Sequence, residues 1–412
     1  MTKTDRTDQR TLGDDARALR NTYVLSVAQG LYMVGAAIQI TVSGLVGYLL
    51  ADDKSLATIP VTAYVLGTLT ATVPASMFMR RVGRRRGFQL GATFGVVSGL
   101  LAAFAIYNFS FWMFCFALYL AGAYQAFAQY YRFAAADTAS EAFRPKAISW
   151  VLAGGLVAAF AAPQIVVYSR DAIAPVIYTG TFMASALAAL LAIGVLALVD
   201  IPNVATTNSD NIQPRPLREI LKQVKLRIAI CTGMVSYASM TFVMTATPLA
   251  MVASNHSVKS AAFAIQWHVL AMFAPSFFTG QLIQRFGRER IILAGMLLLG
   301  CAGLVAVSGL AIWQFNLTLI LLGVGWNFGY VGSSTLVTDC HRPEERNKVQ
   351  AVNEFMVFGL VALASYSSGS LLHVAGWSLV SLAYLPFVAL AGGLVLVLLV
   401  RGANWGAEKS RA

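Results

Sequence analysis

The chain has 412 residues, of which 58% are hydrophobic and 12% charged, with mean hydropathy +0.67 and a formal net charge of +12. That is more apolar surface than a core of this size could hide, which excludes a water-soluble globular enzyme and makes a lipid bilayer the expected solvent. The positive charge needs no nucleic acid to explain it, because its distribution along the chain is that of a topological signal.

Residues 1–21 are polar and mixed in charge, a cytoplasmic tail rather than a cleavable leader. Six apolar stretches of about 20 residues, the length that crosses about 30 Å of hydrocarbon, follow at 22–50, 57–79, 88–107, 111–136, 147–168 and 175–199, and make a first bundle, 22–199. Residues 200–226 form a cytoplasmic linker with Pro202, Pro214 and Pro216 and the polar run Thr206 to Asn211. The amphipathic stretch from Leu217 to Lys225 is expected to end it as a short interfacial helix. Six further stretches, at 227–252, 260–283, 291–313, 317–338, 350–374 and 376–400, make a second bundle, 227–400, before a cytoplasmic tail at 401–412. The expected fold is an all-α membrane protein of twelve transmembrane helices in two six-helix bundles related by a pseudo-twofold axis. Placing the 30 Lys and Arg residues on alternate loops leaves only Lys54, Arg170 and Lys259 on one side, so the other side and both termini read as cytoplasmic. Cys115, Cys231, Cys301 and Cys340 show no CxxC spacing, and disulfides are not expected.

Superimposed on this order is a repeat. Tyr124, Gln125, Asp137, Arg144 and Lys146 recur 202 residues later as Trp326, Asn327, Asp339, Arg346 and Lys348. Gly83, within the basic string from Arg80 to Arg86, recurs 204 residues later as Gly287, between Gln284 and Arg290. A tandem duplication places function where the two halves meet. Asp137 with Arg144, and Asp339 with Arg346, are expected to form salt bridges that latch a cytoplasmic gate. Gln125, Gln129 and Asn327 must find a partner inside the membrane: a substrate, water, or another helix. One constellation is confined to the second half, Met240 and Met244 in span seven with His268 and Met272 in span eight. Each pair shares a helical face, and thioether and imidazole suit Cu(I), although methionine is also a common packing residue and a buried histidine often binds a carbonyl. No carboxylate falls at the middle of a span. A coupled proton would use His268 or the acids Asp137, Asp339 and Glu354 at the cytoplasmic ends, and uncoupled transport is equally compatible.

Twelve spans, a central linker and the hooks Gly280, Gln284, Arg285, Phe286, Gly287, Arg288 and Ser76, Arg80, Arg81, Gly83 resemble the major facilitator superfamily of secondary transporters over the whole chain. The usual acid of the hook is Gln284 in the second copy and Arg80 in the first. The antiporter signature of span five is incomplete, with Gly154, Gly155 and Pro163 but not the later glycines, which favours import over drug efflux. The resemblance implies gating roles for Gly83 and Gly287 and a cavity lined by spans one, four, seven and ten, hence by Gln29, Tyr32, Gln39, Tyr124, Gln125, Tyr237, Trp326 and Asn327, with Tyr130, Tyr131 and Arg132 nearer the cytoplasm. The Met and His set resembles a branch containing bacterial riboflavin importers and copper importers for cytochrome oxidase. Riboflavin is ranked first because the aromatic and amide pairs are duplicated, and copper bound by Met240, Met244, His268 and Met272 is the alternative. An enzyme is ranked last, since no nucleophile-base pair, hydrolytic metal motif or nucleotide loop is present. The chain is expected to act without a cofactor, as a monomer in a bacterial inner membrane.

Overall fold

Apolar stretches of this length must satisfy their backbone groups internally once water is excluded, so helices are the secondary structure open to them. The computed structural model describes residues 3–53, 56, 59–173, 176–201 and 215–409, and contains no strand among them. Lys54, Pro202, the run from Thr206 to Asn211, Pro214 and the last three residues of the C-terminal tail lie outside the described residues.

In chain order, α1 (Lys3–Leu50), α2 (Ile59–Val82), α3 (Arg84–Tyr107), α4 (Phe111–Ala128) continued by α5 (Tyr131–Asp137), α6 (Arg144–Ala153) continued by α7 (Leu156–Ser169), and α8 (Thr179–Leu196) supply six spans. After the single turn α9 (Leu217–Ile220) come α10 (Val224–Ala253), α11 (Val258–Phe273), α12 (Ser276–Phe286), α13 (Arg288–Val307), α14 (Ile312–Thr338), a 3-10 turn at Pro343–Glu345, α15 (Arg346–Ala383) and α16 (Leu385–Lys409). Among the described residues, eleven helical stretches are long and apolar enough to cross a membrane, and α11 with α12, bent by 41°, makes a twelfth.

Three details differ from the sequence expectation. Residues 3–21 continue the first span as helix. The eighth span breaks between α11 and α12 at Pro275, which has no N–H to donate and whose ring crowds the preceding turn. The amphipathic stretch after the linker makes only the single turn α9 before α10 begins at Val224, and just ahead of it Arg215 grips Glu345 through Nε at 2.6 Å and Nη2 at 2.8 Å, tying the chain to the turn before α15.

The chain divides into two compact units, Met1–Ile212 with Gln350–Phe355, and Gln213–Val349 with Met356–Ala412. In the first, α2 and α4 approach through small residues. Gly67 faces the carbonyl of Tyr119 and Gly122 faces that of Tyr64, with no room for a Cβ on either. In the second, α14 packs on α13, α10 and α11. The duplication is visible in the backbone: Gly83 (φ 89, ψ 163) and Gly287 (φ 90, ψ 155) make the same turn after α2 and α12, in a region open essentially only to glycine.

Candidate functional site

On α1, Gln29, Tyr32 and Gln39 recur at spacings that keep them on one helical face, and all three are buried. Tyr32 meets Tyr124 of α4 edge to face, with ring centroids 5.2 Å apart. Tyr32, Gln39 and Tyr124 line a cavity of about 10 Å³ with Ser185 of α8 and Gly95 of α3, about the room one water requires. In the second unit, Trp326 stacks on Tyr330 at 5.1 Å, and Tyr237 packs edge-on against Trp326, Tyr330 and Phe358. Tyr237 is the half-buried member of this aromatic group, and Trp326 is enclosed.

The duplicated amides go elsewhere. Asn327 is fully buried, donates to the Met272 carbonyl at 2.7 Å and to Ser276 Oγ at 2.6 Å, and accepts from Thr279 Oγ1 at 2.6 Å. Those three partners flank the break in span eight, where the interrupted helix leaves backbone groups that a neighbouring helix must satisfy. Gln125 likewise accepts from Thr68 Oγ1 on α2 at 3.0 Å. Both amides bond between helices, Asn327 through its oxygen and its nitrogen and the half-buried Gln125 through its carbonyl oxygen.

His268 is buried, with Nδ1 2.7 Å from the Leu319 carbonyl of α14. A carbonyl can only accept, so Nδ1 carries the proton and the imidazole links two helices. Met240 and Met272 are buried and Met244 is half-buried. Among the described residues, no group of three or more His, Cys, Asp or Glu side chains is placed to hold a metal ion. The four cysteines are free, and burial pushes the Cys340 thiol, in the turn after α14, up to about 11, so that it stays protonated at neutral pH and unreactive.

The repeated aspartates form ion pairs, but with different arginines from those expected. Asp137 accepts from Arg84 Nη2 at 3.1 Å and Nε at 3.3 Å rather than from Arg144, which is half-buried at the start of α6. Asp339 pairs with Arg288 Nε at 2.9 Å, where Arg346 had been expected. The reason is the hook: the positive-φ glycine turns the chain so that the first residue of the following helix reaches the aspartate ending span four or ten. Arg84 and Arg288 share the 204-residue offset of the glycines, the signal that could have identified them.

A second buried pair had no sequence signature. Arg132 Nη2 lies 2.6 Å from Glu354 Oε1, with both side chains enclosed. It belongs to the first unit, to which α15 contributes Gln350–Phe355.

Two bundles built to one plan, matched hooks and matched ion pairs define a membrane transporter assembled from repeats. The chain matches the Major Facilitator Superfamily over residues 25–231 and 229–411, and it belongs to that family. It is 46% identical over 378 residues to the riboflavin transporter RfnT of Brucella anthropi, covering 92% of this chain and 95% of that one. It is 28% identical to the uncharacterized transporter YdeG of Bacillus subtilis, over 94% of this chain and 91% of its relative. At 14% identity, FucP in its outward conformation shares the fold, with a TM-score of 0.73 over 92% of this chain and 98% of that one. The proton:xylose symporter XylE does so as well, with a TM-score of 0.72 over 92% and 94%. The protein is a multi-pass membrane transporter and not an enzyme.

Proposed function

We propose that the protein imports riboflavin across a bacterial inner membrane by alternating access of its two bundles, with both termini in the cytoplasm. The observation that carries this reading is the 46% identity, along nearly the whole of both chains, with a riboflavin transporter. The chemistry of the aromatic groups supports it. Riboflavin has a flat ring system with a hydrogen-bonding edge and a polyhydroxyl chain, and within the first unit Tyr32 and Tyr124 offer aromatic surface for the ring while Gln29 and Gln39 offer amides for its edge. Gln125 and Asn327, already bonded between helices, take no part. The pairs Arg84–Asp137 and Arg288–Asp339, with the hooks at Gly83 and Gly287, act as matched latches of the cycle. No bond in the substrate is made or broken. The copper alternative keeps one donor in His268, whose Nδ1–H is held by the Leu319 carbonyl while Nε2 is buried with no hydrogen-bond partner, but the identity with a riboflavin transporter outweighs it.

The test is uptake of radiolabelled riboflavin and of copper in bacteria deficient in both pathways. Expression of the chain should restore riboflavin uptake. Gln39→Ala should raise the apparent KM about tenfold, the loss of roughly 1.5 kcal/mol of hydrogen bonding, and Met240→Ala with His268→Ala should leave riboflavin uptake in place. Vector-level riboflavin uptake by wild-type protein present in the membrane would overturn the reading.

A further inference from the structure

A hydroxyl in a membrane helix ordinarily returns its proton to the carbonyl one turn back, which hides it from hydrocarbon. Thr22, Thr68 and Thr72 of the first unit do so. Ser185, near the middle of α8, is 3% exposed, and among the described residues its hydroxyl has neither that bond nor any other. Gln39 of α1 is 6% exposed, and its amide is equally unbonded among the described residues. A hydroxyl and an amide enclosed and left open in this way cost free energy that a bound polar group recovers.

Both groups line one cavity of about 10 Å³, walled by the Tyr32 and Tyr124 rings, the room that one water-sized atom requires. Two glycines shape it. A Cβ on Gly35, one turn before Gln39, would stand 3.0 Å from Ser185 Oγ, so the bare backbone lets that hydroxyl lie against the face of α1 that carries Gln39. A Cβ on Gly95 of α3 would enter the Tyr124 ring, so that glycine seats the aromatic wall. Among the described residues, no charged side chain lines the cavity, and Arg84 and Arg132 of the same unit are bonded to Asp137 and Glu354. The cavity therefore suits a neutral polar atom carried on the edge of a flat ring. The Gln39 amide presents N–H beside C=O, the complement of a ring edge that presents C=O beside N–H.

We infer that Ser185 is a substrate-contacting, specificity-determining residue. Its hydroxyl and the Gln39 Nε2–H both donate to one carbonyl oxygen on the imide edge of the flavin ring, while Gln39 Oε1 accepts from the neighbouring ring N–H. The polyhydroxyl chain stays outside this cavity. Ser185 lies on span six, outside spans one, four, seven and ten, from which the lining is expected on sequence. The inference rests on the riboflavin reading and deepens it.

The test titrates purified full-length protein with riboflavin and with lumiflavin, which keeps the ring and carries a methyl group in place of the polyhydroxyl chain. Ser185→Ala should raise Kd for both ligands about fivefold, the loss of one neutral hydrogen bond. Infrared difference spectra of the bound flavin should show a ring carbonyl band at higher frequency in Ser185→Ala than in wild type, because a donor to that oxygen has gone. A rise in Kd for riboflavin alone would overturn the inference by placing the hydroxyl on the polyhydroxyl chain. Weaker binding with the carbonyl band unmoved would also overturn it, as the result expected if Ser185 only supports the packing of α8. Absence of riboflavin binding by folded wild-type protein would overturn the riboflavin reading and this inference together, whereas wild-type binding with Kd unchanged in Ser185→Ala would overturn this inference alone.

Discussion

Two arginine–aspartate pairs at matched positions sit in unlike surroundings, and that difference has measurable consequences. Arg84 and Asp137 are 1% and 5% exposed, whereas Arg288 and Asp339 are 23% and 11% exposed. Breaking a pair enclosed along both side chains strands a charge and costs about 3 kcal/mol or more, while Arg288–Asp339, whose paired Nε and carboxylate oxygens are buried but whose side chains keep some contact with solvent, is expected to cost less. Asp137→Asn should therefore lower the unfolding temperature of detergent-purified protein well beyond Asp339→Asn, and equal shifts would show that local wetting does not set their strength. The repeat in the sequence pointed to both aspartates but not to their partners. Arg144 and Arg346 are near in the chain, and the arginines that bind lie far back, brought in by a glycine conformation that residue type only hints at. Side-chain direction was illegible for the same reason: Gln125 and Asn327 read as polar groups in a membrane, and only packing shows whether a polar group meets a helix or a solute.

Helical spans were the most legible elements, because hydrocarbon thickness fixes their length and the absence of water fixes their secondary structure. The break in span eight was not, since Pro275 lies in a run from Ala271 to Phe278 that is apolar enough to hide it. Asn327 is what makes that break tolerable, through its bonds to Met272, Ser276 and Thr279. Replacing it with Ala strips all three, although Thr279 Oγ1 keeps the Pro275 carbonyl at 2.8 Å. The expected result is a loss of about 2 kcal/mol of stability with little change in apparent KM for riboflavin. A raised KM without loss of stability would return Asn327 to the substrate path. The linker showed the opposite error, because amphipathic patterning from Leu217 to Lys225 promised a longer helix than α9. A tether such as Arg215 to Glu345, between residues 130 positions apart, cannot be read from local pattern.

At the level of the whole molecule, the duplication and the charge asymmetry are independent signals that agree. The repeat requires the second bundle to enter the membrane in the same sense as the first, and an even number of spans in each bundle satisfies that. The positive-inside rule then assigns the sidedness, since only Lys54, Arg170 and Lys259 of the 30 basic residues fall on the loops read as external. The hooks, where Arg80, Arg81, Arg85 and Arg86 are exposed around Gly83, lie on the opposite side by this assignment. Periplasmic-phosphatase fusions should therefore be active when joined after Asp52, Asp171 or Ser254, and inactive after Gly83, Ser140, Gly287, His341 or the C-terminus. The same junctions fused to a cytoplasmic fluorescent reporter should give the reverse pattern. An active phosphatase at Gly287 with an inactive one at Gly83 would mean that the bundles are inserted in opposite senses. The twelve-span order, and the assignment of both latches to the cytoplasmic side, would then fall together.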